Sequence, residues 1–489
     1  MKILLVQPPM SLFPWEKCSP TPPLGLAYVA GFLEYKGHDV RILDAFGEGR
    51  ESVVDKGNIS HFGLSWSAID RRIRQVKPDV VGVNSLYSSQ AGNMRRVARL
   101  VKEYDKNIPV VVGGAHPSSL PYEVLENEDI DYVVLGEGEH TFHKITEYLE
   151  SIQQLDTIEG IGYRKNGRIR VNPKMSYVEC LDELPLPARH LLRMERYGSS
   201  RGAEQMRKPC STMITSRGCP MNCVFCSVHS VFGWKWRSRS AKNVINEISL
   251  LVEEYGIREI QFEDDNIALN RKRMEEICDL MIKKDLDIRW TTPNGIAIWT
   301  LDAKLLKKMK KSGCYSLSFG IESGDPNTLK FIGKPVNLAK AKEVIKQANK
   351  IGIYTHGFFV FGFPYENLES IMLTLRFAVE SDLDLASFYI ATPYPKTRLY
   401  EIMKREKMLL EDNWEMFRTM KAVANTKYFN KEDLDTMQTL LYKTFFKKRI
   451  ANFLKPKTLL GRLRRLNNPE DLRFMARLGL RFLDILKKR

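Results

Sequence analysis

Residues 217–226 read RGCPMNCVFC, and the reading of this stretch decides the fold. Cys219, Cys223 and Cys226 stand at C-x3-C-x2-C spacing, with no fourth cysteine to close the set. Eight cysteines in 489 residues are too sparse for a disulfide scaffold. Three packed so closely read as metal binding or catalysis. A structural zinc takes four protein ligands, and His229, three residues past Cys226, is the available fourth. The other reading is a [4Fe-4S] cluster, with three thiolates on three irons and the fourth iron open. Two features favour the cluster. Nothing nearby supplies a second ligand pair, and the loop follows a strand at the head of a barrel-like series, where chemistry is placed.

That series runs over residues 210–400. STMITSRG, IREIQFEDDN, DIRWTTPNG, CYSLSFGIESG, YTHGFFVFGFP and LASFYIATPYP read as strands, with amphipathic segments such as AKNVINEISLLVEEYG between them. Six β/α units fall short of the eight of a closed barrel, so a curved, partly open barrel is expected, its site built from loops at the strand carboxyl ends.

Residues 1–145 alternate in the same way. ILLVQP, VRILDA, DVVGVNSL, PVVVGGA and DYVVLGEG are short apolar runs suited to strands buried on both faces. Strand–helix alternation implies a parallel sheet with right-handed crossovers. Ligands of such sheets sit at the strand carboxyl ends, here Gln7-Pro8-Pro9, Asn84-Ser85-Leu86, Gly113-Gly114-Ala115-His116 and Gly136-Glu137-Gly138-Glu139. Residues 146–209 read as a connector with a hairpin turning at Asn166-Gly167, and residues 401–489 as a basic helical region. The expected fold is α/β: a flavodoxin- or Rossmann-like parallel sheet, a partial (β/α)6 barrel and a basic helical C-terminal region.

Phe225 stands directly before the last cysteine of the C-x3-C-x2-C set, and the chain here resembles the radical S-adenosylmethionine superfamily. The resemblance implies that S-adenosylmethionine chelates the open iron of a [4Fe-4S] cluster. An electron from the cluster then yields a 5′-deoxyadenosyl radical, which takes hydrogen from an unactivated carbon. It also implies contacts to S-adenosylmethionine from Phe225. Glu263, Asp264 and Asp265, in QFEDDN, would meet its ammonium, departing from the Gly-Gly-Glu of many members. Asn294 and Glu322 would meet its ribose and adenine, and Gly362-Phe363-Pro364 its adenine. Helix capping at Asp265-Asn266 and plain turns at the glycines explain the same residues structurally.

The front half resembles the cobalamin-binding domain of radical methyltransferases. Asn84-Ser85-Leu86 stands where a Ser-x-Leu stretch is usual, and Gly113-Gly114 matches a Gly-Gly pair under the nucleotide tail. Gly136 and Glu137 end the last strand. Gln7 and Pro8 replace the usual Asp-x-His-x-x-Gly, so cobalt would lack that lower histidine; His116 reads either as a substitute ligand or as a packed or solvent-facing histidine. No G-x-G-x-x-G follows the first strand, which weakens a dinucleotide reading. Together these resemblances imply a cobalamin-dependent radical C-methyltransferase with a small-molecule or lipid substrate. A low-potential donor such as flavodoxin or ferredoxin would supply its electrons. Ring closure or rearrangement without methyl transfer is one alternative, and an iron–sulfur electron-transfer or sensor protein is another.

Of the net charge of +16, residues 441–489 carry +12. FFKKRIANFLKP, LLGRLRRL and LRFMARLGLRFLDILKKR mix Leu, Phe and Ile with Arg and Lys at helical spacing, suited either to an anionic membrane surface or to a cap on the barrel. No stacking platform accompanies the charge, so nucleic acid is not expected. No run of eighteen apolar residues occurs, and MKILLVQPP reads as a first strand, not a signal peptide. A cytoplasmic protein is expected, peripheral at the inner membrane face if the tail binds lipid. Cys18, Cys180, Cys210, Cys278 and Cys314 are expected as small buried residues. Replacing Cys223 with Ala should abolish deoxyadenosine formation from S-adenosylmethionine. A variant that still makes it would remove the cluster assignment.

Overall fold

The computed structural model describes residues 1–13, 16, 19–49, 53–55, 59–152, 154–198, 205–453, 469–474, 476 and 477. Seven strands form the front sheet: β1 (Lys2–Gln7), β2 (Asp39–Asp44), β3 (Val80–Asn84), β4 (Val110–Gly113), β5 (Tyr132–Val134), β6 (Ile161–Lys165) and β7 (Arg168–Asn172). Their order is β7-β6-β5-β4-β3-β1-β2. The first five are parallel, and β1 lies between β2 and β3. The order therefore reverses at β1, opening a crevice at the carboxyl ends of β1 and β3. The antiparallel hairpin β6–β7 comes from the segment read as a connector, and it extends this sheet. Asn166 and Gly167 both take positive φ, +53° and +72°, as a tight two-residue turn requires.

The central strands are apolar because helices cover both faces. Leu4, Val6, Val81, Val83, Val110 and Val112 pack with Ile69, Ile73, Met94 and Val97 on one side. On the other, Ile3, Leu5, Val80 and Val111 pack with Leu26, Leu33, Phe142 and Ile145.

The second sheet is β8 (Cys210–Met213), β9 (Glu259–Phe262), β10 (Arg289–Ile296), β11 (Cys314–Glu322), β12 (Tyr354–Phe361) and β13 (Leu385–Ile390), all parallel and in chain order. β8 and β13 are its edges, so the barrel is partly open. Each of the helices starting at 241, 271, 303, 338 and 368 is preceded by a capping side chain. Ser240, Asn270, Asp302, Asn337 and Asn367 each accept a hydrogen bond from a first-turn N–H.

The helix Lys431–Phe453 closes over β13. Leu441, Tyr442, Phe445 and Phe446 are buried there, with the Tyr442 ring edge-on to Phe388 at 5.5 Å. Arg449 donates to Asp382 at 2.5 Å and Asp384 at 3.2 Å. Of the two readings of this stretch, a membrane surface or a cap on the barrel, the cap describes these four side chains, while Leu440 and Ile450 remain exposed. LLGRLRRL and most of the last basic segment lie outside the described residues. Within that segment Phe474 is buried against Tyr315 and Tyr354, at centroid distances of 5.4 and 5.0 Å. No helix among the described residues is long and apolar enough to cross a membrane. Cys210, Cys278 and Cys314 are buried as expected, whereas Cys180 is exposed and Cys18 lies outside the described residues.

Past β12 the chain turns at Gly362 and Phe363. Buried Glu366 accepts from both N–H groups, at 2.7 and 3.3 Å, while its Oε1 has no partner. Burial pushes this carboxyl up to about 8 from its ordinary 4.5. The folded state therefore holds this proton more tightly than the unfolded chain, so stability falls as pH rises across that window. Glu366→Gln should be more stable than the parent at pH 8, by on the order of a few kcal/mol, and similar near pH 5. Parallel denaturation at the two pH values checks this, and equal offsets at both would refute it.

Candidate active site

β8 runs into Ile214 and Thr215, and then Ser216–Arg217 pairs antiparallel with Arg237–Ser238. This two-residue ladder pinches loop 218–236 shut at its base. Gly218 has φ +83°, and a Cβ there would lie 2.3 Å from the Lys235 carbonyl oxygen, so only glycine fits. From the end of β9, Asp264 accepts from Thr215 N at 3.1 Å, Thr215 Oγ1 at 2.7 Å and Ser216 Oγ at 2.5 Å. Inside the loop, Val224 N donates to the Ile332 carbonyl and Leu399 N to the Val224 carbonyl, each at 2.9 Å. Buried Val224 packs with Ile332, Phe363 and Leu399.

The three thiols of this stapled loop are half-buried. Burial pushes all three above the ordinary thiol range, Cys226 to about 12. The Lys334 ammonium works in the opposite direction at Cys219 and Cys223. Lys334 is held 2.5 Å from Glu322, whose attraction outweighs burial and keeps the amine charged.

The donor set fits an open-iron cluster better than zinc. His229 is already engaged: its Nε2 lies 2.9 Å from the Cys219 carbonyl oxygen, and its ring stacks on Trp234 at 3.4 Å. Among the described residues no group of three His, Cys, Asp or Glu side chains is placed to hold a single metal ion. Three thiols on one loop are the ligand count of a four-iron cluster with one free corner.

Of the carboxylates expected near S-adenosylmethionine, Glu263 and Asp265 line the large cavity, as does Asn294. Asn294 Nδ2 donates to the Glu263 carbonyl at 2.8 Å. The enclosing walls, and then the charge of Asp264, push the Asp265 carboxyl up to about 7. Asp264 itself departs from expectation. It is 2% exposed and spends its oxygens on Thr215 and Ser216, so it braces the loop. Glu322 also departs: it is buried, does not line the cavity and is paired with Lys334. Phe225 packs 6.1 Å from Phe363. Lys334 went unread in the sequence, where nothing in GKP marks a lysine that folds back toward cysteines over a hundred residues earlier.

Across the cavity, Gln7, Asn84, Leu86, Gly113, Gly114, Gly136 and Glu137 line the front-sheet wall. Asn84 Nδ2 donates to Gln7 Oε1 at 2.7 Å, bridging β1 and β3 where the strand order reverses. Gly114 has φ +111°, and a Cβ there would lie 2.6 Å from the Ser85 carbonyl oxygen. Pro8, Ser85 and His116 do not line the cavity. Of the two readings of His116, the packed histidine describes the structure and the substitute cobalt ligand is corrected. His116 is 1% exposed with neither ring nitrogen hydrogen-bonded, and burial, then Arg95, lowers its pKa to about 4. Glu137 lines the cavity, but its carboxylate is bound to Arg237 at 2.8 and 3.0 Å and accepts from Val178 N at 2.9 Å.

Comparison with known proteins agrees with both halves. The family model for the B12 binding domain matches residues 19–146, and that of the Radical SAM superfamily matches residues 213–378. The chain is 37% identical over 462 residues to an uncharacterized methyltransferase of Pyrococcus horikoshii, covering 94% of each. It is 33% identical over 426 residues to the cytidylyl-2-hydroxyethylphosphonate methyltransferase of Streptomyces wedmorensis, covering 80% of this chain and 79% of that one. Its fold matches the cobalamin-dependent S-adenosylmethionine radical enzyme OxsB, solved with aqua-cobalamin and S-adenosylmethionine bound. The TM-score is 0.72 at 17% identity, over 99% of this chain and 71% of that one. With two cofactor-type domains facing one cavity and relatives of this similarity along nearly its whole length, the chain belongs to the cobalamin-dependent radical S-adenosylmethionine enzymes, in their methyltransferase class.

Proposed function

We propose that the protein methylates an unactivated carbon of a small-molecule or lipid substrate held between the front sheet and the barrel. One observation carries this reading. A single cavity of about 2430 Å³ is lined by the switch-point edge of the front sheet, by the carboxyl edge of the barrel and by the barrel's inner wall. A carbon placed there can meet both cofactors without leaving the protein.

When bound, the cluster, S-adenosylmethionine and cobalamin supply the electron, the hydrogen-abstracting radical and the methyl group. The chain itself supplies placement. Cys219, Cys223 and Cys226 hold the cluster, and Glu263 and Asp265 offer carboxylates to an ammonium. Asn294 offers its amide oxygen to a hydroxyl. Gly114 lets the end of β4 close against the Ser85 carbonyl, which shapes the wall a ligand would lie on, and Gly113 lines that wall.

The acceptor is assigned to the barrel interior. Ser316, Ser318, His356, Phe358, Ser387 and Tyr389 line the cavity there. His356 Nε2 lies 2.9 Å from Ser387 Oγ, and the Phe358 ring stands between His356 and Tyr389 at 4.7 and 6.0 Å. Such a wall offers hydrogen bonds and aromatic faces together, suited to a polar molecule with a planar part. The relative from Streptomyces wedmorensis is named for a cytidylyl-bearing acceptor, which supports the small-molecule arm of the proposal.

A low-potential flavodoxin or ferredoxin is proposed as electron donor, since the cluster must be reduced once per cleavage. An anionic-membrane contact is proposed for residues 454–489, because the preceding helix spends Leu441, Tyr442, Phe445 and Phe446 on the barrel and leaves only Leu440 and Ile450 exposed among its described large apolar side chains. On anionic liposomes the full chain should be retained and a chain ending at 453 should not. Equal retention would refute the contact.

The main test is cofactor content after anaerobic production with hydroxocobalamin and gel filtration. About one cobalamin and about four irons per chain are expected. Four irons without cobalamin would overturn methyl transfer by this route. With an acceptor in hand, a product heavier by one methyl group separates methylation from ring closure.

A further inference from the structure

The two arginines that flank the cysteine loop face each other in register, Arg217 opposite Arg237. Neither points to solvent: their side chains are 6% and 2% exposed. Both reach into the front domain, to carboxylates on the turn that follows β5. Arg217 Nη2 lies 2.6 Å from Glu139 Oε1, and its Nη1 3.3 Å from Glu137 Oε1. Arg237 Nη1 contacts both oxygens of Glu137, and the same guanidinium donates to the Val178 and Phe232 carbonyls at 2.6 and 2.8 Å. Aromatic faces enclose the charges. Arg217 lies over Tyr28 at 5.0 Å and Phe232 at 5.7 Å, and Arg237 over Tyr177 at 5.2 Å. Burial opposes the Glu139 carboxylate, but Arg217 outweighs it and holds the group below its usual range.

Two carboxylates and two guanidinium groups thus sit almost dry at one seam. Such a quartet adds little net stability, because desolvation offsets attraction, but losing one member is costly, so its value lies in fixing register. The seam is placed where register has most effect. On the front side Gly136, directly before Glu137, lines the cavity, and a Cβ added to it would meet the Val231 carbonyl of the cysteine loop at 3.1 Å. On the other side Arg217 is two residues from Cys219.

We infer that Glu137, Glu139, Arg217 and Arg237 are positioning residues that lock the cysteine loop to the cobalamin-side edge and so set the span between the two cofactors. The inference rests on the proposed placement of the cluster and cobalamin. Removing the bridge that Arg217 makes between Glu137 and Glu139 loosens the span while leaving both cofactor pockets intact. Chemistry confined to the cluster side then survives, and chemistry that crosses the cavity suffers.

Glu139→Gln and Arg217→Lys test this in the full chain loaded with iron and cobalamin. Iron and cobalamin content is read first; if the parent binds neither, the underlying placement has failed and not the lock. The second readout is the magnetic interaction between the reduced cluster and cob(II)alamin in electron paramagnetic resonance, which reports their separation without turnover. The third is the ratio of S-adenosylhomocysteine to 5′-deoxyadenosine formed from S-adenosylmethionine under reducing conditions. The lock predicts retained cofactors, a weakened or broadened magnetic interaction, deoxyadenosine within about twofold, and S-adenosylhomocysteine down about tenfold or more. An unchanged interaction in both variants, or two products falling in proportion, would overturn it. Should Glu139→Gln lose its cofactors through misfolding, Arg217→Lys, which keeps the charge, carries the test alone.

Discussion

All barrel strands, and the first five of the front sheet, run parallel, and the rest of the molecule depends on that constraint. Parallel strands deliver their carboxyl ends to one edge, where loops are free to carry chemistry. Here two such edges face each other. Gln7, Asn84 and Gly113 end strands of one sheet, Val231 and Phe232 of the cysteine loop and Glu263 follow strands of the other, and the cavity they line occupies the space between, with Cys219, Cys223 and Cys226 set behind that wall and outside its lining. A radical enzyme with two cofactors needs this arrangement because neither sheet alone presents both.

Much of this was legible in the residues. Continuous apolar runs such as VVVGG, short and bounded by turn residues, fit strands covered on both faces, and the three cysteines marked where the second series starts. The carboxyl-end residues of β1, β3 and β4 could be named because Pro, Asn and Gly break each run. What stayed hidden was commitment. QFEDDN offers three acidic side chains in a row, and only the fold shows that Asp264 turns inward to Thr215 and Ser216 while Asp265 faces the cavity. Glu137, Glu322 and Lys334 were illegible for a related reason. Three ion pairs consume them, and the partners of Glu137 lie 80 and 100 residues along the chain. His116 looked like a ligand because it follows a Gly-Gly pair, yet the helix Ala115–Ser119 turns it into the interior.

The barrel's incompleteness is part of how it works. Eight strands would fill their own interior with side chains. With six, alternate residues of β12 and β13 stand half-exposed along the inner wall, and the room they leave belongs to the ligands. The cost is an open flank on β13, which Leu441, Tyr442, Phe445 and Phe446 cover.

Phe474 gives this architecture an order in time. Its ring seats between Tyr315 and Tyr354, at the amino ends of β11 and β12, beside Met206. The floor of the barrel is thus made by a side chain that leaves the ribosome well after the last barrel strand. Through that interval the six strands can pair, but the aromatic pocket beneath them faces water. Contacts of such long sequence separation form late. During synthesis the barrel floor is an aromatic surface that waits for its own chain to supply Phe474.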